Sequence, residues 1–486
     1  MTRTIIIAAI SLISLSACNK QLDELRPHNV TNEDAQFSTP EGFSQAALGL
    51  YPMITTGVAM ESSSFGYGDI TMFLSETHGN NIRSLDLGPN RYSDAFDYTN
   101  SPDKDHSWTY YLWRGSYFTI LHANKLLDNV PKDEQRPAVL QAKAEALFVR
   151  AFVYFNLVRF YAKPYYQDAA GSPGVMLITT AANGTDYKPA RASVKAVYGQ
   201  IISDLETAMS LFSQEKSNSF AGKMSAAALL SRVYLYMGGT LQQPDAAFNQ
   251  KAVSYADQVI SSNKYALLTD NAYRAYYNSS NTTNKEDIFA GNVDYGSASI
   301  SQQYAYPPQI NYTGGYYRPS PDLLSRIAQT DLRTSHYKVN VTPGFPNDSI
   351  ATAKYMYLYS AIYSKSPFRY IRLAEVYLNR AEANAKLGKK DLALADLNII
   401  RNRAGLASVD LSGQALFDEI LLQRRLELAF EGHTGFDYFR NGLPMVRNYT
   451  SASSGTMTIA ATSPKILLRI PQEEIILNPN LTQNEQ

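Results

Sequence analysis

The chain has 486 residues, in which 44 Lys and Arg balance 44 Asp and Glu. A protein built to grip a phosphate backbone carries a cationic excess, so zero net charge argues against nucleic acid as a partner. With 45% hydrophobic and 18% charged residues the chain is globular rather than disordered, and its length allows one large domain or two to three smaller ones.

Residues 1–17 carry a single charge, Arg3, and an apolar run from Ile5 to Leu15. That run is too short to span a bilayer and suits the core of a signal peptide. It ends in Leu15-Ser16-Ala17-Cys18, and Cys18 is the chain's one cysteine, so no intramolecular disulfide can form. A small residue before a cysteine just after an apolar core resembles a bacterial lipoprotein box, in which the thiol is lipidated and the chain is cut before it. The alternative is a free thiol behind an ordinary secretory signal. Lipidation at Cys18 would leave a mature chain of net charge −1, held by lipid rather than by protein. Residues 18–40 read as a polar tether, with Asn19, Lys20, Gln21, Asp23, Glu24 and Pro27.

Helical patterning starts near residues 40–60. It dissolves into a Gly/Ser/Asn-rich stretch from Glu61 to Lys104. From about 107 the 3.6-residue period is strong. Leu140, Ala144, Leu147, Phe148, Ala151, Tyr154, Phe155 and Val158 form one apolar stripe, and Pro164 stops that helix. Ser193 is placed to cap a helix through Val194, Val197, Ile201, Leu205 and Leu211. Leu229 to Met237 follow, ended by Gly238-Gly239, and then Ala252 to Ile260. Between 270 and 320 Gly, Ser, Asn and Pro break the period, and nine tyrosines crowd into 51 residues, more than twice the chain's average density. Alternation of Tyr355, Tyr357 and Tyr359 with Met356 and Leu358 predicts a strand. Helices resume at about 367–388, 390–404 and 413–431, and Pro471 before Glu473-Glu474 marks a further helix start. The pairs 225–236 with 252–260, and 370–387 with 393–400, resemble tetratricopeptide units, which bury their faces only by stacking.

Much chemistry lacks its residues. The six histidines, His28, His78, His106, His122, His336 and His433, show no zinc-ligand spacing and have no cysteine companion. Phosphate loops, dinucleotide fingerprints and serine nucleophile elbows are absent from the sequence. Carboxylate pairs such as Glu431 with Asp437 or Glu473 with Glu474 read as structural rather than as glycosidase acids. What stands out is the ring content, 35 Tyr, 20 Phe and 2 Trp, which suits a surface or cleft that binds through rings with polar tips.

Several motifs taken in order resemble one family. They are the box ending at Cys18; Trp113-Arg114-Gly115-Ser116-Tyr117; Ala144 to Phe155; Pro319-Ser320-Pro321-Asp322-Leu323 with Asp331-Leu332-Arg333; Pro367 to Glu375 with Asn379-Arg380-Ala381-Glu382-Ala383; and Arg424-Arg425-Leu426-Glu427 to His433 with Phe436 to Arg440. The ending from Arg469-Ile470-Pro471 to Asn484 fits too. Together they resemble the SusD/RagB outer-membrane lipoproteins of Bacteroidota, over nearly the whole mature chain. The resemblance implies a mainly α, SusD-like fold with tetratricopeptide-like hairpins as scaffold, long irregular loops and a few short strands. Residues 1–17 would be the signal peptide, 18–40 the lipidated tether and 41–486 a single domain. Its helices would lie mainly at 107–265 and 366–432, and its loop-rich binding face mainly at 61–106 and 270–365. The charges Arg372, Glu375, Arg380, Glu382, Arg424, Arg425 and Glu427 are better read as pairing along packed helices than as ligand contacts.

The resemblance also implies a function without catalysis or cofactor, with bound calcium left open: capture of an oligosaccharide, or less often a peptide, at the outer membrane. Delivery would be to a SusC-like TonB-dependent β-barrel transporter, on which the lipoprotein sits as a lid. A helical scaffold that only organises envelope proteins is the remaining reading. Family binding sites lie in the loops that here span 78–108 and 292–318. These hold twelve candidate ligand contacts: Asn80, Asn81, Arg83, Tyr92, Tyr98, Trp108, Tyr295, Tyr304, Tyr306, Tyr312, Tyr316 and Tyr317. A minority of them is expected to touch ligand, the others packing the loops down or facing the transporter. The second loop offers Tyr and no Trp, which does not support starch-like specificity.

Overall fold

The computed structural model describes residues 33–56, 66–85, 92–102, 108–181, 184, 186–277, 283–293, 299–304, 317–339, 350–352, 354–355, 366–451 and 455–485. Cys18 and its box, the 356–359 part of the expected tyrosine strand, and the candidates Tyr295, Tyr306, Tyr312 and Tyr316 lie outside the described residues.

Helices dominate. In chain order the main elements are α1 (Pro40–Ile54), α2 (Tyr67–Thr77), β1 (Ile82–Ser84), α3 (Trp108–Asp128), α4 (Pro137–Tyr161), α5 (Val194–Leu211), α6 (Lys223–Met237) and α7 (Ala246–Ser261). Then come β2 (Asp287–Gly291), β3 (Tyr317–Pro319), β4 (Phe368–Arg372), α8 (Leu373–Lys386), α9 (Lys390–Arg403), α10 (Gly413–Leu428), α11 (Thr434–Arg440), β5 (Met445–Arg447), β6 (Met457–Ile459) and α12 (Gln472–Leu477). None of the described helices is long and apolar enough to cross a membrane.

Local chemistry sets the helix ends. The Ser193 hydroxyl accepts the Ala196 N–H at 3.2 Å and starts α5, as the sequence predicts. Asp245 caps α7 through the Phe248 N–H at 3.0 Å. Gly238 is the C-cap of α6, and Gly239 follows at φ 74°, a left-handed turn that suits glycine. The helices then stack in series: α3 on α4, α4 on α5, α5 on α6, α6 on α7, α7 on α8, and α8 on both α9 and α10. One contiguous apolar core runs from α1 to α8, with members from Phe43 to Leu481, and α9 packs on α8 and α10 through smaller clusters. In α4 the burial reaches nearly every face, so α4 is the spine rather than a one-sided amphipathic helix.

Two elements differ from the sequence reading. The stretch 61–104, expected to be loop, contains α2, whose eleven residues are all buried. Gly68 explains its close seat: a Cβ there would lie 2.6 Å from the Phe368 ring and 2.7 Å from the Tyr370 hydroxyl. The helix expected from 367 begins only at Leu373, because Phe368–Arg372 is a strand paired antiparallel with β2.

That β2–β4 pair borders a buried ionic network. Arg372 contacts Glu286 at 2.9 Å, Glu427 at 2.5 Å and Glu431 at 2.6 Å. Arg403 reaches Glu286 at 2.8 Å and also Glu427. Lys354 holds Glu431 at 2.5 Å, and Arg333 holds Asp331 at 2.7 Å. Four cations thus meet four carboxylates, all buried, from segments far apart in the chain. Elsewhere Glu375 pairs with Arg232, Glu382 with Arg440, Arg380 with Asp396, Arg424 with Asp437 and Arg425 with Asp322. The seven motif charges therefore pair within the fold, as expected.

Candidate functional site

The two loops expected to form the binding face are far apart in sequence, and one short ladder joins them. β1 pairs antiparallel with β3 in the register Ile82 to Pro319, Arg83 to Arg318 and Ser84 to Tyr317. The ladder is fixed at its end by Ser320, whose N–H donates to the Asn81 carbonyl at 2.7 Å and whose hydroxyl donates to the Asn80 carbonyl at 2.6 Å. Tyr449 adds a third tie, its hydroxyl donating to the Ile82 carbonyl at 2.6 Å.

Beneath the ladder lies a floor of rings. Phe73 of α2 is at its centre, 4.3 Å from Tyr92, 5.1 Å from Tyr304 and 5.0 Å from Tyr317 between centroids. Tyr92 stacks on Trp108 at 3.8 Å with 8° between planes. Asp69 of α2 accepts the Ile300 N–H at 3.0 Å and so holds the short helix Ser299–Tyr304 that carries Tyr304. The Arg447 guanidinium lies 3.7 Å from the Phe96 ring centre and donates to the carbonyls of Gly79, Phe96 and Thr77.

Eight of the twelve candidates are described, and seven of those are buried. Tyr92, Trp108, Tyr304 and Tyr317 belong to the floor. Tyr98, at φ 57°, donates its hydroxyl to the His78 carbonyl at 2.6 Å. Asn80 donates to the Val446 carbonyl at 3.0 Å and accepts from Tyr438 at 2.9 Å. Asn81 donates to Glu76 at 3.0 Å and to Thr434 at 2.6 Å, and accepts from Arg425 at 2.8 Å. These rings and amides pack the loop down and tie it to the C-terminal segment. Arg83 alone of the eight keeps partial exposure. The ladder sets it opposite Arg318, whose pKa is pulled down to about 10 by burial and then by the Arg83 charge. Glu76 lies under Asn81 as a buried carboxyl, and burial pushes it up to about 7 against hydrogen bonds from Asn81, Thr434 and the Phe430 backbone.

An open pocket of about 330 Å³ adjoins this platform and shares Asn80 with it. Its apolar wall includes Leu421, Leu422, Leu443 and Pro444. Its polar groups include Asp322, Arg326, Asp418 and Tyr438, with Arg425 held against Asp322 at 2.7 Å. Carboxylates that accept, guanidinium groups that donate and apolar walls together suit a ligand with both hydroxyls and C–H faces. The sequence reading did not list these residues as contacts. Asp322 and Arg425 stand in two of its motifs, Arg425 being read as a pairing charge, and the ion pair they form is part of the pocket wall.

Comparison with known proteins bears on the fold. A family model described as "SusD family" matches residues 179–486, and one described as "Starch-binding associating with outer membrane" matches residues 60–235. A SusD-like protein P2 of Formosa agariphila is 26% identical over an alignment covering 77% of this chain and 79% of that protein. Among solved structures, a SusD superfamily protein from Bacteroides thetaiotaomicron superposes with a TM-score of 0.78 at 27% identity, covering 92% of this chain and all of that one. A SusD-like carbohydrate binding protein from Bacteroides vulgatus superposes with a TM-score of 0.76 at 22% identity, covering 91% and 97%. The family match spans well over half of the chain, and the helical stack is the one its relatives share: the chain belongs to the SusD family.

Proposed function

We propose that this chain is a cell-surface binding lipoprotein, anchored in the outer membrane through Cys18, that captures an oligosaccharide and hands it to a SusC-like TonB-dependent transporter. It works by binding and release, without a catalytic step. The observation that carries this reading is the β1–β3 ladder, which holds residues 82–84 and 317–319 side by side over a buried ring floor. Family membership supports it, as do a matching family model described as starch-binding and a similar fold described as carbohydrate binding. On this reading the sugar meets Arg83 and tyrosines among Tyr295, Tyr306, Tyr312 and Tyr316, and the pocket at Asn80 takes a flanking unit. Rings supply C–H stacking, and a few polar groups fix orientation. Binding of this kind is modest per contact, which suits a step that must release its cargo.

The test is calorimetric titration of the mature protein against neutral and acidic oligosaccharides and short peptides. Binding of a glycan with a Tyr312→Ala/Tyr316→Ala variant at least tenfold weaker is the expected result. Each stacked ring contributes about 1 kcal/mol, and about 1.4 kcal/mol makes a factor of ten. Peptide binding with no glycan binding would overturn the cargo. Failure to co-purify with a β-barrel transporter from native membranes would overturn the delivery step.

A further inference from the structure

Arg159 sits in the last turn of α4, and its surroundings differ from those of several other arginines. Arg150 is paired with Asp204 at 2.7 Å, Arg232 with Glu375 at 2.5 Å and Arg440 with Glu382 at 2.6 Å. Arg447 has three backbone carbonyls. Arg159 has no carboxylate partner among the described residues. Its guanidinium donates to the Asn156 side-chain oxygen and, at 3.4 Å, to the Tyr236 hydroxyl, while its buried Nε has no partner. Rings surround the charge instead: its centre is 4.6 Å from the Phe155 ring, 4.4 Å from Phe436 and 5.6 Å from Tyr236.

A cavity of about 30 Å³ opens beside this group, between α4, α5, α6 and α11. Tyr165, Tyr198, Tyr236 and Phe436 line it, and Lys163, an exposed residue, also borders it. A second cation on its wall, Arg440, is already matched by Glu382 and Asp437. Arg159 also borders a smaller cavity shared with Glu431, but that carboxylate is matched by Arg372 and Lys354. The charge of Arg159 is therefore uncompensated, and burial pulls its pKa below the usual arginine value.

A water-sized group needs roughly 10–15 Å³ of such space, so the cavity holds about two. Two oxygens on one carbon, presented to a planar guanidinium that no carboxylate matches, fit that size and charge. We propose that this is a carboxylate-binding pocket. The head of a small organic acid, or the carboxylate of an acidic sugar, enters between the rings and pairs with Arg159, while Lys163 draws it in from outside. The site is separate from the loop face proposed for glycan capture and does not depend on it.

The test titrates the full mature protein with sodium acetate, sodium glucuronate and acetamide at constant ionic strength, followed by tyrosine fluorescence and thermal shift. Saturable acetate binding with none by acetamide is expected. Arg159→Gln should weaken acetate binding at least tenfold, and Lys163→Gln a few-fold with an unchanged melting temperature. Glucuronate binding that Arg159→Gln also weakens assigns an acidic sugar, and acetate binding alone assigns free acids. Both results uphold the pocket. Equal binding of acetate and acetamide, or acetate affinity unchanged in the variants, overturns it. If Arg159→Gln does not fold, Lys163→Gln on the exposed rim decides.

Discussion

Removing the Trp108 ring separates two roles that a sequence cannot distinguish, ligand platform and structural floor. In the fold Trp108 is 3% exposed and stacks face to face on Tyr92, itself fully buried. Trp108→Ala would leave a large void at the start of α3. Such truncations cost about 3–5 kcal/mol, and the stacking contact beyond area burial about 0.5–1.5 kcal/mol. Urea unfolding of wild type, Trp108→Ala, Tyr92→Ala and the double variant should therefore show a large single-site loss. The double-mutant cycle should return a coupling of about 1 kcal/mol. Glycan affinity, measured where the variant is still folded, should change far less than in Tyr312→Ala/Tyr316→Ala. A Trp108→Ala protein that loses less than 1 kcal/mol of stability while losing ligand would refute the floor assignment.

Other outcomes follow from the same structure. Cys18→Ala should abolish incorporation of radiolabelled fatty acid and release the protein from the outer membrane; a variant that stays anchored contradicts the lipoprotein reading. Glu431 is held down to about 2 by Arg372 and Lys354 despite its burial, so its contribution is present above about pH 4.5 and disappears as the pH falls toward 2. Glu76 has the opposite sign: raised to about 7 by burial, it favours the fold at low pH, and that contribution is lost as the pH rises from about 4.5 through 7. Urea midpoints against pH for Glu76→Gln should be flatter than wild type across that interval, and an unchanged slope would exclude the carboxyl as its source. A fragment of residues 366–486 should not fold alone, because Arg372 and Arg403 would lose Glu286, Glu375 would lose Arg232, and α8 would lose α7. A soluble monomer with a cooperative melt would show otherwise.

The helices that were legible in the sequence are those whose ends carry their own chemistry. Ser193 and Gly238 mark α5 and α6 through bonds and turns made within a few residues. α2 was not legible because all its faces are buried, so it has no polar side to generate a period. β4 read as helix because nothing near Arg369 and Arg372 in the sequence marks a strand. Their partners, Asp287 and Glu286, stand more than eighty residues earlier. The site followed the same rule. Its two loops could be named from family resemblance, and the ladder does join them. But Asn80 and Asn81 are engaged by Val446, Tyr438, Thr434 and Arg425, partners more than 340 residues away, and no local pattern announces such contacts.

The buried ionic network bears on how the chain comes apart. Its eight charges belong to segments from Glu286 to Glu431, and releasing one segment would leave opposite charges stranded in an apolar interior. Removing one partner of such a buried pair typically costs about 3–5 kcal/mol. Partial openings that split the network are therefore rare excursions, and the segments around it open together or not at all. Where proteases are present, that matters more than equilibrium stability. Proteases cut what opens locally, and here the bonds near the network are protected until the whole assembly yields.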